Sequence, residues 1–169
     1  MKKIMFLLLI FIFIYINNID EYNISEDEIR FRVIANSNSS RDILMKEKVV
    51  SELSSILFID TNNKDTIRDN IYKNLENIET KVNKIFKENN YDKNFNIVYG
   101  MNSFPDKEFM GKKYKKGEYE SLVIEIGDAK GNNYFCILYP SLCMIDYQNN
   151  KEEKTEIKFK IIDVFKKLF

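Results

Sequence analysis

The side chains whose type and spacing most directly suggest chemistry are Cys136 and Cys143, with six residues and a Tyr139-Pro140 turn between them. On one straight strand they would stand ~23 Å apart at ~3.3 Å per residue. A turn centred on Tyr139-Pro140 instead sets them opposite each other, within the ~4.4–6.8 Å Cα separation that a disulfide needs. Two readings stay open: a bridge, or two buried reduced thiols acting as small apolar groups. Redox catalysis calls for an activated Cys-x-x-Cys-like thiol, which this spacing does not offer. The chain has no histidine. That excludes Ser-His-Asp and Cys-His nucleophile systems and a His-ligated zinc site, and two cysteines cannot build a four-cysteine cluster. Carboxylate chemistry stays open, although no spacing singles out a pair among the 26 Asp and Glu residues. The expectation is a protein that is not an enzyme, with no cofactor, no metal and no small-molecule substrate.

Bulk properties point the same way. A chain of 169 residues with 44% hydrophobic side chains suits one domain with a sizeable core. Lys+Arg and Asp+Glu balance at 26 each, so nothing argues for nucleic acid.

The elements that must position the cysteines follow from hydrophobic period. Leu122, Ile124 and Ile126 alternate with Val123 and Glu125, as in a pleated strand. Gly127 to Asn133 is a break. A second apolar run, Tyr134 to Tyr139, stops at Pro140. These two runs predict a β-hairpin in the core. Upstream, Ile29 to Ala35 alternates as a short strand. Asn36-Ser37-Asn38-Ser39-Ser40 then forms a turn able to cap a helix from about Ser40 to Phe58, with Met45, Val49, Leu53, Ile56 and Leu57 on one face.

A second helix, about Lys64 to Asn89, repeats Ile67, Ile71, Leu75, Ile78, Val82, Ile85 and Phe86 at three- and four-residue steps. Phe95, Ile97 and Tyr99 alternate in a further strand that ends at Gly100. Met101 to Lys116 reads as a loop, its lysines either solvated or facing anionic lipid or an acidic receptor loop. After a charged loop at Gln148 to Thr155, Ile157 to Ile161 suggests a strand and Ile161 to Leu168 a basic amphipathic helix.

Met1-Lys2-Lys3 followed by the apolar run Ile4 to Ile16 has the form of a signal peptide. As a helix it spans ~20 Å, short of the ~30 Å hydrocarbon core, and no Ala-x-Ala-like site follows. Residues 1–22 are therefore read as a signal peptide or N-terminal membrane anchor plus linker, and 23–169 as a signalling domain. The fold class expected is α+β: a mostly antiparallel sheet with two long helices packed on one face.

Three motifs carry a family resemblance. They are Arg30-Phe31-Arg32-Val33-Ile34-Ala35-Asn36-Ser37, Phe104-Pro105-x-Lys107, and Glu118-Tyr119-Glu120 followed by Tyr134-Phe135, Cys-x6-Cys and Pro140-Ser141-Leu142-Cys143. Together, in register, they resemble the stage II sporulation protein R family. Where that family has two tryptophans, this chain has Tyr134-Phe135.

The resemblance implies a protein made in the forespore and exported into the space between the forespore and mother-cell membranes. There it activates a membrane-embedded, sigma-E-processing aspartic protease of the mother cell. The partners expected are that protease and, through residues 4–16, a membrane. Candidate partner-binding residues are Arg30, Arg32, Asn36, Ser37, Phe104, Pro105, Lys107, Glu118, Tyr119 and Glu120. The alternatives are an exported hydrolase using a carboxylate pair and a non-signalling structural envelope protein. At Arg32, Asn36 and Ser37 a purely structural reading, a strand-end arginine and a helix cap, stands beside the functional one.

Overall fold

The computed structural model describes residues 27–109 and 112–143. The apolar segment 4–16, its linker, and the charged loop, strand and helix expected after Asp146 lie outside them. No described helix is long and apolar enough to cross a membrane.

The first strand, β1, spans Ile29–Ile34. Helix α1, Ser40–Leu57, follows, capped by Ser39, whose side chain accepts from the Asp42 amide. Helix α2 covers Lys64–Glu88 and is capped by Asn63. Strand β2 runs Phe95–Phe104, and two short strands, β3 at Lys107–Phe109 and β4 at Lys112–Tyr114, pair with each other. Strands β5, Gly117–Ile126, and β6, Asn133–Tyr139, complete a sheet of order β2-β5-β1-β6. The fold is α+β, and the sheet is mostly antiparallel: β2 with β5 and β1 with β6 run antiparallel, while β1 with β5 is parallel.

One face of the sheet meets both helices. Ile29, Phe31 and Val33 of β1, Leu122, Ile124 and Ile126 of β5, and Cys136 and Leu138 of β6 pack against Met45, Val49, Leu53, Ile67, Ile71, Ile78 and Val82. The periodicity of both helices therefore marks their inward faces, with Ile56 and Leu75 at the half-buried rim. The opposite face carries a second, smaller cluster of Ile34, Phe104, Tyr114, Val123, Phe135 and Ile137.

Two sequence expectations are corrected. The two strands predicted as a hairpin, β5 and β6, do not pair, because β1 lies between them. Residues Gly127 to Asn132 arch over the end of β1 instead: the Gly131 amide donates to Ala35 O at 2.8 Å and the Lys130 amide to Asn36 O at 3.1 Å. Period-2 patterning identifies a strand but carries no information about its neighbour.

The stretch predicted as a loop, Met101 to Lys116, is also largely strand. β2 continues through Gly100, whose φ of +155° is open to glycine, and pairs with β5 as far as Phe104↔Gly117. The two cysteines form a disulfide with a Cα separation of 5.3 Å, so the thiol alternative is set aside.

Candidate functional site

Alternation along β1 sends Ile29, Phe31 and Val33 toward the helices and Arg30 and Arg32 to the other side. Arg30 is 1% exposed. Its guanidinium carbon lies 3.3 Å from the centroid of the Tyr119 ring, with Phe104 at 5.2 Å, Tyr114 at 5.4 Å and Phe135 at 5.7 Å. Its Nε donates to Glu28 Oε2 at 2.9 Å. The guanidinium carbon of Arg32, a partly exposed residue, lies 4.6 Å from the centroid of the Phe104 ring. Phe104 thus contacts both cations, and each such contact is worth roughly 0.5–2 kcal/mol depending on desolvation. The β3–β4 pair brings Tyr114 and Phe109 over this face, Phe109 meeting Phe135 edge-on at 5.3 Å. Lys107 Nζ stands 5.8 Å from the Phe135 ring.

The electrostatics of this face are unfinished. Glu28 Oε1, Arg30 Nη1, Arg32 Nε and the Tyr114 hydroxyl are buried without a hydrogen-bond partner among the described residues. Burial raises the Glu28 carboxyl above its ordinary value, against the pull of Arg30. Burial likewise lowers Arg32, with Glu125 opposing, and raises the Tyr114 hydroxyl. The exposed part of the Arg32 guanidinium, set on an aromatic shelf, suits a carboxylate brought by a partner.

The other candidates lie elsewhere. Asn36 and Ser37 close the β1–α1 junction: Asn36 Nδ2 and the Ser37 hydroxyl donate to Asp42 Oδ2 at 2.8 and 2.5 Å, and the Tyr91 hydroxyl donates to Asp42 Oδ1 at 2.7 Å. Burial pushes Asp42 up, yet the hydrogen bonds from Ser37, Tyr91, Asn36 and Ser39 outweigh it and hold the carboxyl well below the usual range. Asn36 Oδ1 also accepts from the Asp128 amide at 3.0 Å. At Gly127, φ is +56° and a Cβ would meet Asn36 Oδ1 at 2.2 Å, so glycine is required there.

Glu120 faces the helices. It accepts from Arg68 Nε and Nη2, both at 2.8 Å, and from the Tyr99 hydroxyl at 2.7 Å, with Lys64 at 3.4 Å. The Arg68 hydrogen bonds, working against burial, bring its carboxyl down to about 2. Pro105 and Glu118 are exposed.

The structure therefore joins Arg30, Arg32, Phe104, Lys107 and Tyr119 into one site and leaves Asn36, Ser37 and Glu120 in two separate polar networks. Sequence reasoning missed Glu28, Asp42, Tyr91 and Tyr114. An acidic residue in the first turn of a helix behind Asn and Ser was a readable signal for Asp42. Tyr91, 49 residues further along the chain, gave none.

No group of three or more His, Cys, Asp or Glu side chains among the described residues could hold a metal ion. No solved structure matches this chain. Among curated proteins, stage II sporulation protein R of Bacillus subtilis (strain 168) is 27% identical over 136 residues, which cover 79% of this chain and 61% of the relative. The chain thus spans less than two thirds of that relative's length. The family model described as stage II sporulation protein R matches residues 25–149, which include both β1 arginines, the aromatic shelf and the disulfide. The chain belongs to the stage II sporulation protein R family.

Proposed function

We propose that this chain is an exported sporulation signal that activates a membrane-embedded aspartic protease of the mother cell, leading to pro-sigma-E processing, and that it has no catalysis of its own. Residues 4–16 serve as its export or anchoring segment. One observation supports this reading above the rest: motif residues from separate strands, Arg30, Arg32, Phe104, Lys107 and Tyr119, converge on the sheet face away from the helices. Core packing alone does not call for two arginines there. Activation then requires that this face bind the active state of the protease more tightly than the idle one, since only differential affinity shifts an equilibrium.

The test is processing in a spore-former lacking its own copy of the signal. The full chain, expressed in the forespore, restores processed sigma-E in the mother cell. Arg32→Glu lowers processing at least tenfold, while circular dichroism and thermal unfolding of the variant stay near those of the parent. Phe104→Ala does the same, although loss of a buried ring also lowers stability. Full processing by a folded, exported Arg32→Glu chain would remove this face from the mechanism, and no processing by the parent chain would remove the function.

A further inference from the structure

Strand β2 forms one edge of the sheet, with β5 on its only paired side among the described residues. Its ten residues, Phe-Asn-Ile-Val-Tyr-Gly-Met-Asn-Ser-Phe, include no charge and no proline. Edges of this kind are commonly blunted by lysine, proline or a bulge, because their free N–H and C=O groups invite another strand. Here the register with β5 runs unbroken from Phe95↔Ile126 to Phe104↔Gly117. Large exposed apolar side chains gather at the same place. Met101 is 65% exposed, Tyr72 64% and Val98 37%; Tyr72, from α2, stands edge-on against Tyr99 of β2 at 4.9 Å.

We infer that β2 is a self-association edge, on which a second copy of this chain adds antiparallel to make a two-fold dimer with one continuous sheet. The strand's own pattern selects a second copy as occupant. A two-fold centred on Gly100 keeps the helices of both copies on one side and places each Met101 opposite the partner copy's Tyr99, because residues one step either side of the axis share a face. The exposed Met101 of one copy then covers the half-buried Tyr99 and the exposed Tyr72 beside it on the other, twice. An uncharged strand meets itself without like-charge repulsion. The surface is self-complementary, as an isologous interface must be.

The test uses full-length chain co-expressed in two differently tagged forms and exported by the host. Capture of one tag is expected to retain the other, and Met101→Lys in both forms to cut co-capture at least tenfold; the side chain is exposed, so the fold is kept. Val98→Lys is expected to act in the same direction. In a second arm, Tyr99→Cys in one form and Met101→Cys in the other give a linked species carrying both tags on a non-reducing gel, while Leu44→Cys, on the exposed side of α1, gives none with Met101→Cys. Absence of co-capture by the parent chain overturns the inference and leaves the edge to a strand from a different protein. Co-capture that survives Met101→Lys, without the Tyr99–Met101 link, overturns it by placing self-association on another surface.

Discussion

The polar knot at the β1–α1 junction and the arginine–aromatic face both draw on one stretch of chain, residues 30–37, and they are finished to different degrees. In the knot, the Asp42 carboxylate accepts from Asn36, Ser37 and Tyr91, so both of its oxygens are occupied, and the Asp42 amide donates to Ser39 Oγ. On the arginine face, Arg30 Nη1, Arg32 Nε, Glu28 Oε1 and the Tyr114 hydroxyl are all buried without partners. A satisfied buried network fixes a conformation; buried polar atoms left without a partner cost stability. The difference separates the two halves of a single motif: Asn36 and Ser37 serve folding, and the function proposed above gives recognition to the partly exposed Arg32.

Breaking the knot gives the largest expected effect. Asp42→Ala strands the Tyr91, Ser37 and Asn36 donors and is expected to cost about 3 kcal/mol in denaturant unfolding; a loss under about 1 kcal/mol would mean the knot is not a folding element. Acidification is expected to remove about 2 kcal/mol by pH 3. The carboxyl groups of Asp42 and Glu120 are depressed in the folded state, so the stability they contribute is complete above the ordinary carboxyl range. It is lost as pH falls from about 5 toward the value of about 2 held by Glu120.

Glu28 has the opposite sign, because its raised carboxyl favours the folded state as it protonates. Glu28→Gln should therefore steepen the acid loss, and a shallower one would contradict the contrast. A matched pair of hydroxyl deletions gives the finest comparison. Tyr91→Phe removes a hydrogen bond to a carboxylate and should cost about 1.5 kcal/mol, whereas Tyr114→Phe removes an orphan and should cost nothing or gain up to about 1 kcal/mol. Equal losses in thermal unfolding would erase the distinction between the two regions.

How much of this could be read in the sequence depended on how local each signal was. The helices were legible because Ile67, Ile71, Ile78, Val82 and Ile85 repeat within one element, and all are buried as that repeat demands. The disulfide was legible as one of two options, since Pro140 between close cysteines already implied a reversal. Strand order was not: β5 and β6 look like hairpin partners until β1, some ninety positions upstream of Glu120, takes the place between them. The site was half legible. The motif drew attention to Arg30 through Ser37, but only the three-dimensional register shows that alternation sends the arginines to one side while the chain beyond β1 turns into the knot. Glu28 and Tyr114 carry no pattern of their own and become visible only as neighbours of Arg30.

The central position of β1 also sets a schedule. The first of the described strands lies between the last two of them, with Ile29 opposite both Glu120 and Tyr139. No native sheet can assemble around β1 until nearly the whole described chain exists, and contacts of such sequence separation close slowly. A nascent chain of this design completes its sheet only after β6 has been made. Late assembly of this kind would suit the export proposed above, since only an unfolded polypeptide threads through a narrow pore.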